Sequence, residues 1–181
     1  MNDSQLSEFF IQWSIRVSCG LVYGRLLCRL WHVPSTQKAP TKFEYRLWTA
    51  GFLFFGLHVF LSFHFIHQWR HDEAWLRTAI ETENLVGVRR GDGVWANYLM
   101  LVIWGIDILR IRKARRLQRC DSVFIDRIVG SFIGFMFINA TIVFGPEFYR
   151  HLLFPALVLA FLFWRFGPGT SGIAIKTRWD D

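Results

Sequence analysis

The chain reads as all-α, an integral membrane bundle of about five transmembrane helices with one short amphipathic surface helix. Three observations predict this. Of its 181 residues, 52% are hydrophobic and only 19% charged, against about a quarter charged in an ordinary soluble domain. The apolar residues gather into uncharged runs long enough to cross a bilayer. The basic residues gather between alternate runs, which is the asymmetry of a multi-pass topology. The same composition excludes disorder, collagen and a disulfide-stapled scaffold.

The spans follow in chain order within one membrane domain, residues 1–181. Residues 9–31 are apolar apart from Arg16, Arg25 and Arg29. Residues 47–69 form 23 consecutive positions without Asp, Glu, Lys or Arg, closed by Arg46 and Arg70; about 20 suffice for a spanning helix. Residues 94–112 give a third span, apolar as far as Leu109 except for Asp107. Residues 128–146 are uncharged throughout. The last span, 148–166, is short in its uncharged part, but Arg150 and Arg165 can snorkel to the two interfaces. Between the second and third spans, residues 72–84 (DEAWLRTAIETEN) open on a capping Asp72. They pair Glu73 with Arg77 four positions on and carry Trp75, Leu76, Ala79 and Ile80. That pattern predicts a short amphipathic helix on the outer surface. Gly87, Gly91 and Gly93 loosen the chain after it.

The net charge is +7, from 21 Lys and Arg against 14 Asp and Glu. Arg25, Arg29, Lys38, Lys42 and Arg46 surround the first connection. Seven basic residues from Arg110 to Arg127 fill the one after the third span, and Arg165, Lys176 and Arg178 lie in the tail. The other connections are balanced or acidic. The N-terminus is therefore expected outside and the C-terminus in the cytoplasm, with anionic lipids meeting the cytoplasmic face. This distribution accounts for the basic excess without nucleic acid, for which no recognition motif is present. No cleavable signal is evident, so the first helix is expected to act as its own insertion signal. Cys19, Cys28 and Cys120 fall in the membrane or on the reducing side, and no disulfide is expected.

Two groups of residues carry the chemistry of the sequence. His64, His67 and His71 recur three and four apart, which on an uninterrupted helix brings them within about 60° of one another. With Glu81 and Glu83 nearby, they form a candidate site for a divalent transition metal on the extracytoplasmic side. The alternative is that interfacial histidines simply suit the headgroup layer. A haem held between His67 and His151 is a further candidate. The second group lies within the membrane. Asp107 sits about 13 residues, or about 20 Å, from the outer surface, a depth at which a charge requires a partner. Arg25 and His58 are the candidates, and Asn97, Met100, Trp104 and Asp107 form one stripe. An Asp107–Arg25 clamp is favoured over a proton or ion relay. The depth of Arg16 implies a first helix inside the bundle, with Glu81 or Glu83 reaching back to it. Gly130-x-x-x-Gly134 offers a flat face for helix packing or for a homo- or hetero-oligomer contact.

The order His67-x-x-x-His71, a helix bearing Thr and Glu, Gly91, Gly93, Asn97, Trp104 and Asp107 resembles a group of small multi-pass bacterial membrane proteins. That group has no assigned activity. The resemblance covers residues 67–107; it implies a bacterial inner (plasma) membrane and adds no mechanism. Three functions are expected in descending order. The first is a non-catalytic accessory or assembly component, the second a metal- or haem-binding protein centred on the histidines. The third is a small transporter or proton pathway using Asp107.

Overall fold

The structure, a computed structural model, describes residues 3–31, 40–117 and 122–143. The expected span at 148–166, with His151, lies outside the described residues. Regular structure among them is helical throughout: α1 (Asp3–Trp31), α2 (Lys42–Leu61), α3 (His71–Val86), α4 (Gly93–Arg116) and α5 (Val123–Val143). A π-helical turn, Ser62–Ile66, continues α2. Three of these helices are long and apolar enough to cross a membrane: Lys42–Ile66, Gly93–Arg116 and Phe124–Thr141. α1 is longer than any of them, yet Glu8, Arg16, Arg25 and Arg29 keep it out of that group.

α1, α2 and α5 start earlier than their apolar runs, because a helix does not stop where charges begin. α2 starts at Lys42 on a capping box. The Thr41 hydroxyl accepts from the Glu44 amide at 3.1 Å, and the Glu44 carboxylate accepts from the Thr41 amide at 2.7 Å. α5 starts at Val123, so that Asp126 lies in its first turn. At the far end of α2 the expected helix to Trp69 is cut short. After the π turn, Gln68 and Trp69 take left-handed φ values of 48° and 60°, which cost non-glycine residues about 1–2 kcal/mol each. Trp69 is thereby folded back so that its ring meets that of Phe60 at 5.4 Å, and α3 starts a separate helix.

α1 and α2 pack as an antiparallel hairpin. The inward face of α1 is Ile11, Ser14, Ser18, Val22 and Arg25, all buried at helical spacing. Its serines permit close approach, and Ser18 Oγ donates to the Gly51 carbonyl across the interface at 2.8 Å. α4 runs antiparallel to α2, and the two meet through Trp48, Gly51, Phe52, Phe55 and Trp104. A Cβ on Gly51 would lie 3.2 Å from the Trp104 ring, so the glycine makes room for the indole. α5 adds Ile133 and Phe137 to this core. Gly134 faces Leu26 of α1 and Gly130 is buried. The Cβ position of Gly130 meets nothing within 4 Å among the described residues.

α3 is joined to α4 through Gly91, a buried residue over which Trp75 lies. A Cβ there would fall 2.6 Å from the Trp75 ring and closer still to the Trp75 carbonyl. Gly91→Ala is expected to force the two helices apart and cost about 1–3 kcal/mol, read as a lower midpoint of thermal unfolding in detergent. Gly56, with open space at its Cβ position, is the control: Gly56→Ala should leave the midpoint unchanged or raise it.

Candidate functional site

The charged residues that face inward converge at one end of the bundle, where α1 and α4 finish and α2 and α5 begin. Helical spacing alone sets most of them there. Arg25 follows Val22 on the inward face of α1, and Arg29 stands one turn beyond it. Glu44 precedes Trp48 by four on α2, and Asp107 follows Trp104 by three on α4. Asp126 opens the inward face of α5.

Arg25 and Asp126 are both about 2% exposed, and Arg25 Nη2 donates to Asp126 Oδ1 at 2.7 Å. The guanidinium of Arg25 also lies over the Trp48 ring, 3.8 Å from its centroid, a cation–π contact strengthened by burial. Asp107 takes Arg110 on one oxygen, from Nε at 2.9 Å and from Nη2 at 2.7 Å. Its other oxygen accepts from the Trp48 indole N–H at 2.8 Å. Arg110 reaches on to Asp126 at 3.8 Å, Arg29 pairs with Asp126, and Arg29 approaches Glu44 at 3.9 Å. Three arginines thus meet three carboxylates in one network drawn from four helices. Balanced pairing of this kind is what makes burial of so many charges tolerable.

The sequence leads one to expect Asp107 as the partner of Arg25; its direct partner is instead Asp126. The two share the Trp48 ring system and one network, but the salt bridge runs to α5. Glu44 and Asp126 lie in first turns, and Arg110 is six residues, about 9 Å, from the end of α4. The cluster therefore reaches from the basic end of the bundle inward as far as Trp48 and Asp107. Asp126, Glu44, Trp48 and Arg110 were not singled out as site residues. Two signals pointed to them, the Thr41-x-x-Glu44 box and the Asp107/Arg110 spacing of three. Asp126 had none, since it precedes the uncharged run.

The remaining site residues are scattered. His58 is half-buried, and the Ile11 carbonyl accepts from its Nδ1 at 2.9 Å, so it ties α2 to α1 away from Asp107. Asn97 is exposed, and the stripe above Asp107 continues as buried, apolar Trp104 and Met100. No polar ladder leads away from the carboxylate along α4. Arg16 is exposed; it donates to Gln12 at 3.3 Å and lies 5.5 Å from the Trp13 ring. Glu81 and Glu83 of α3 lie beside Arg77 and Arg89 at 3.5 and 3.7 Å.

The histidines do not share a helix face either, because the helix ends between them. His64 stacks on Phe60 with centroids 6.1 Å apart, and His67 meets the edge of Phe63 at 5.4 Å. His71, on the next helix, shares a 3.0 Å hydrogen bond with the Tyr98 hydroxyl and meets Trp95. Partial burial, with the positive charge of Arg77 adding to it, lowers the pKa of the His67 imidazole below its usual value. Among the described residues no group of three or more His, Cys, Asp and Glu side chains is arranged to hold a metal ion. No protein-family model, curated protein or solved structure matches the chain.

Proposed function

We propose that the chain is an integral protein of the bacterial inner membrane, N-terminus outside and C-terminus cytoplasmic, acting as a non-catalytic accessory or assembly component. The observation that carries the reading is how the inward charges are used. Both oxygens of Asp107 are occupied by donors, and Asp126 is held by arginines from α1. The arginines and carboxylates of this cluster pair with one another and hold helices together, and only Arg25 Nε and Asp126 Oδ2 lack a hydrogen bond among its buried, described atoms. A catalytic or conducting site instead keeps a group poised for something else.

Membrane residence is supported by the outward faces. Leu53 on α2, Leu109 on α4 and Phe135 on α5 are each over 60% exposed, and comparable apolar residues lie along the same helices. Exposed apolar area on this scale marks an interaction surface, and lipid suits three helices of spanning length. The orientation rests on the concentration of basic residues at the end that holds the cluster. Native electrophoresis of membranes dissolved in mild detergent tests the accessory role. The chain is expected to migrate in a defined complex well above its own 21.4 kDa. Migration as a lone subunit, with the same chain stable and monodisperse in lipid nanodiscs, would refute it.

A further inference from the structure

The exposed basic residues at the two ends of the bundle are treated differently. Around α3, every arginine has a carboxylate within reach: Arg70 with Asp72 and Glu73, Arg77 with Glu81, Arg89 with Glu83, Arg90 with Asp92. At the opposite end, Arg115 turns in to donate to the Pro40 carbonyl and to lie 5.7 Å from the Tyr45 ring. Lys113 and Arg116 on the last turns of α4 are exposed and meet no carboxylate among the described residues.

Their place on the helix gives these two cations a direction. Leu99, Val102, Ile106, Leu109, Lys113 and Arg116 follow one another at spacings of three and four, so they form a single outward stripe. The four apolar members are each at least half exposed. From Leu99 to Leu109 the stripe is about 15 Å long, which is half the hydrocarbon thickness of a bilayer. The same order recurs on α2, where exposed Lys42 and Arg46 stand at the end of a face carrying Leu53, Leu57 and Phe60.

We infer that this outward face of α4 binds an anionic phospholipid, with the phosphate on Lys113 and Arg116 and an acyl chain along Leu109, Ile106, Val102 and Leu99. The inference rests on the membrane residence proposed above and names the lipid class that this face selects. Charge complementarity carries it: cations that meet no carboxylate among the described residues, at the head of an apolar stripe, match a phosphate at the head of a hydrocarbon chain. An acidic protein segment would satisfy the cations but not the 15 Å of apolar face below them.

The test uses the full chain, delipidated in neutral detergent and then offered dioleoyl phosphatidylglycerol or dioleoyl phosphatidylcholine, with retained lipid read by native mass spectrometry. Each basic side chain near an anionic headgroup contributes a factor of about five. The native chain is therefore expected to prefer phosphatidylglycerol about thirtyfold. In a chain carrying Lys42→Gln and Arg46→Gln, which removes the similar α2 face, adding Lys113→Gln with Arg116→Gln should bring that preference close to one, while adding Arg89→Gln with Arg90→Gln should leave it unchanged. Equal retention of the two lipids by the native chain overturns the proposal. So does equal loss in both combined variants, which would reduce the effect to net charge. Displacement of the lipid by glycerol phosphate or by a hexaglutamate peptide would assign the cations to a free phosphate or to an acidic protein, and overturns it too. Reconstitution with phosphatidylcholine alone separates the two readings. A chain that enters neutral bilayers but shows no preference loses only the lipid site, whereas one that enters no bilayer loses membrane residence as well.

Discussion

Asp126→Ala is expected to destabilise the bundle by about 3–5 kcal/mol, the cost of leaving a buried charge without its partner. The charge left behind is Arg25, which is about 2% exposed and donates to Asp126 directly. Arg110 retains Asp107 in that variant, so the loss falls on the α1–α5 contact. Thermal unfolding in detergent, followed by tryptophan fluorescence, reads the effect, since Trp48 lies against the Arg25 guanidinium. Asp107→Asn is expected to cost less. The amide oxygen still accepts from Trp48, and Arg110, with about 20% of its side chain exposed, can turn toward solvent. Replacing both members of the buried pair, Arg25→Met with Asp126→Leu, should recover most of the loss, as apolar replacements of buried ion pairs do. An Asp126→Ala protein that melts with the native one would remove the cluster from any role in holding α5.

Trp104→Ala is the other large effect expected, about 3–5 kcal/mol for the loss of a fully buried indole. Four aromatic rings surround this residue: Trp48 at 4.7 Å, Phe52 at 5.9 Å, and Phe55 and Phe137 at 6.0 Å between centroids. Gly51 is shaped to receive it. The indole nitrogen is buried without a hydrogen-bond partner among the described residues, so the ring's value here is packing. Trp104→Phe, which gives up the nitrogen and some volume, is therefore expected to cost less than half as much as Trp104→Ala. Equal losses in the two variants would mean that the nitrogen matters more than the packing.

The helices of spanning length were legible in the sequence because charges are absent from 47–69 and 128–146 and, in 94–112, interrupt the run only at Asp107 before Arg110. Their ends were not. A run without charges marks the apolar part of a helix, and α2, α4 and α5 each extend past theirs into charged flanks. Glu44, Arg110 and Asp126 lie in those flanks, so one cause moved both the boundaries and these members of the cluster. Arg25 and Asp107 stood out as charges inside apolar runs. Asp126 sat next to Arg127 just outside one, and nothing local set it apart from an ordinary interfacial residue. The metal-like spacing of His64, His67 and His71 depended on a continuous helix. The π turn and the left-handed pair Gln68–Trp69 break it, and no propensity argument places two left-handed residues at a Gln and a Trp.

The salt bridge between Arg25 and Asp126 joins positions 101 residues apart, and this separation has a temporal meaning. Read in the order of synthesis, the cluster acquires Arg25 and Arg29 first, then Glu44, then Asp107 and Arg110. At that point it holds one positive charge too many, and only the first turn of α5 brings it to neutrality. A chain interrupted before residue 126 carries an arginine pair with too few counter-charges. The same network that holds the bundle thus distinguishes, by its charge alone, a chain that includes the first turn of α5 from one that stops short of it.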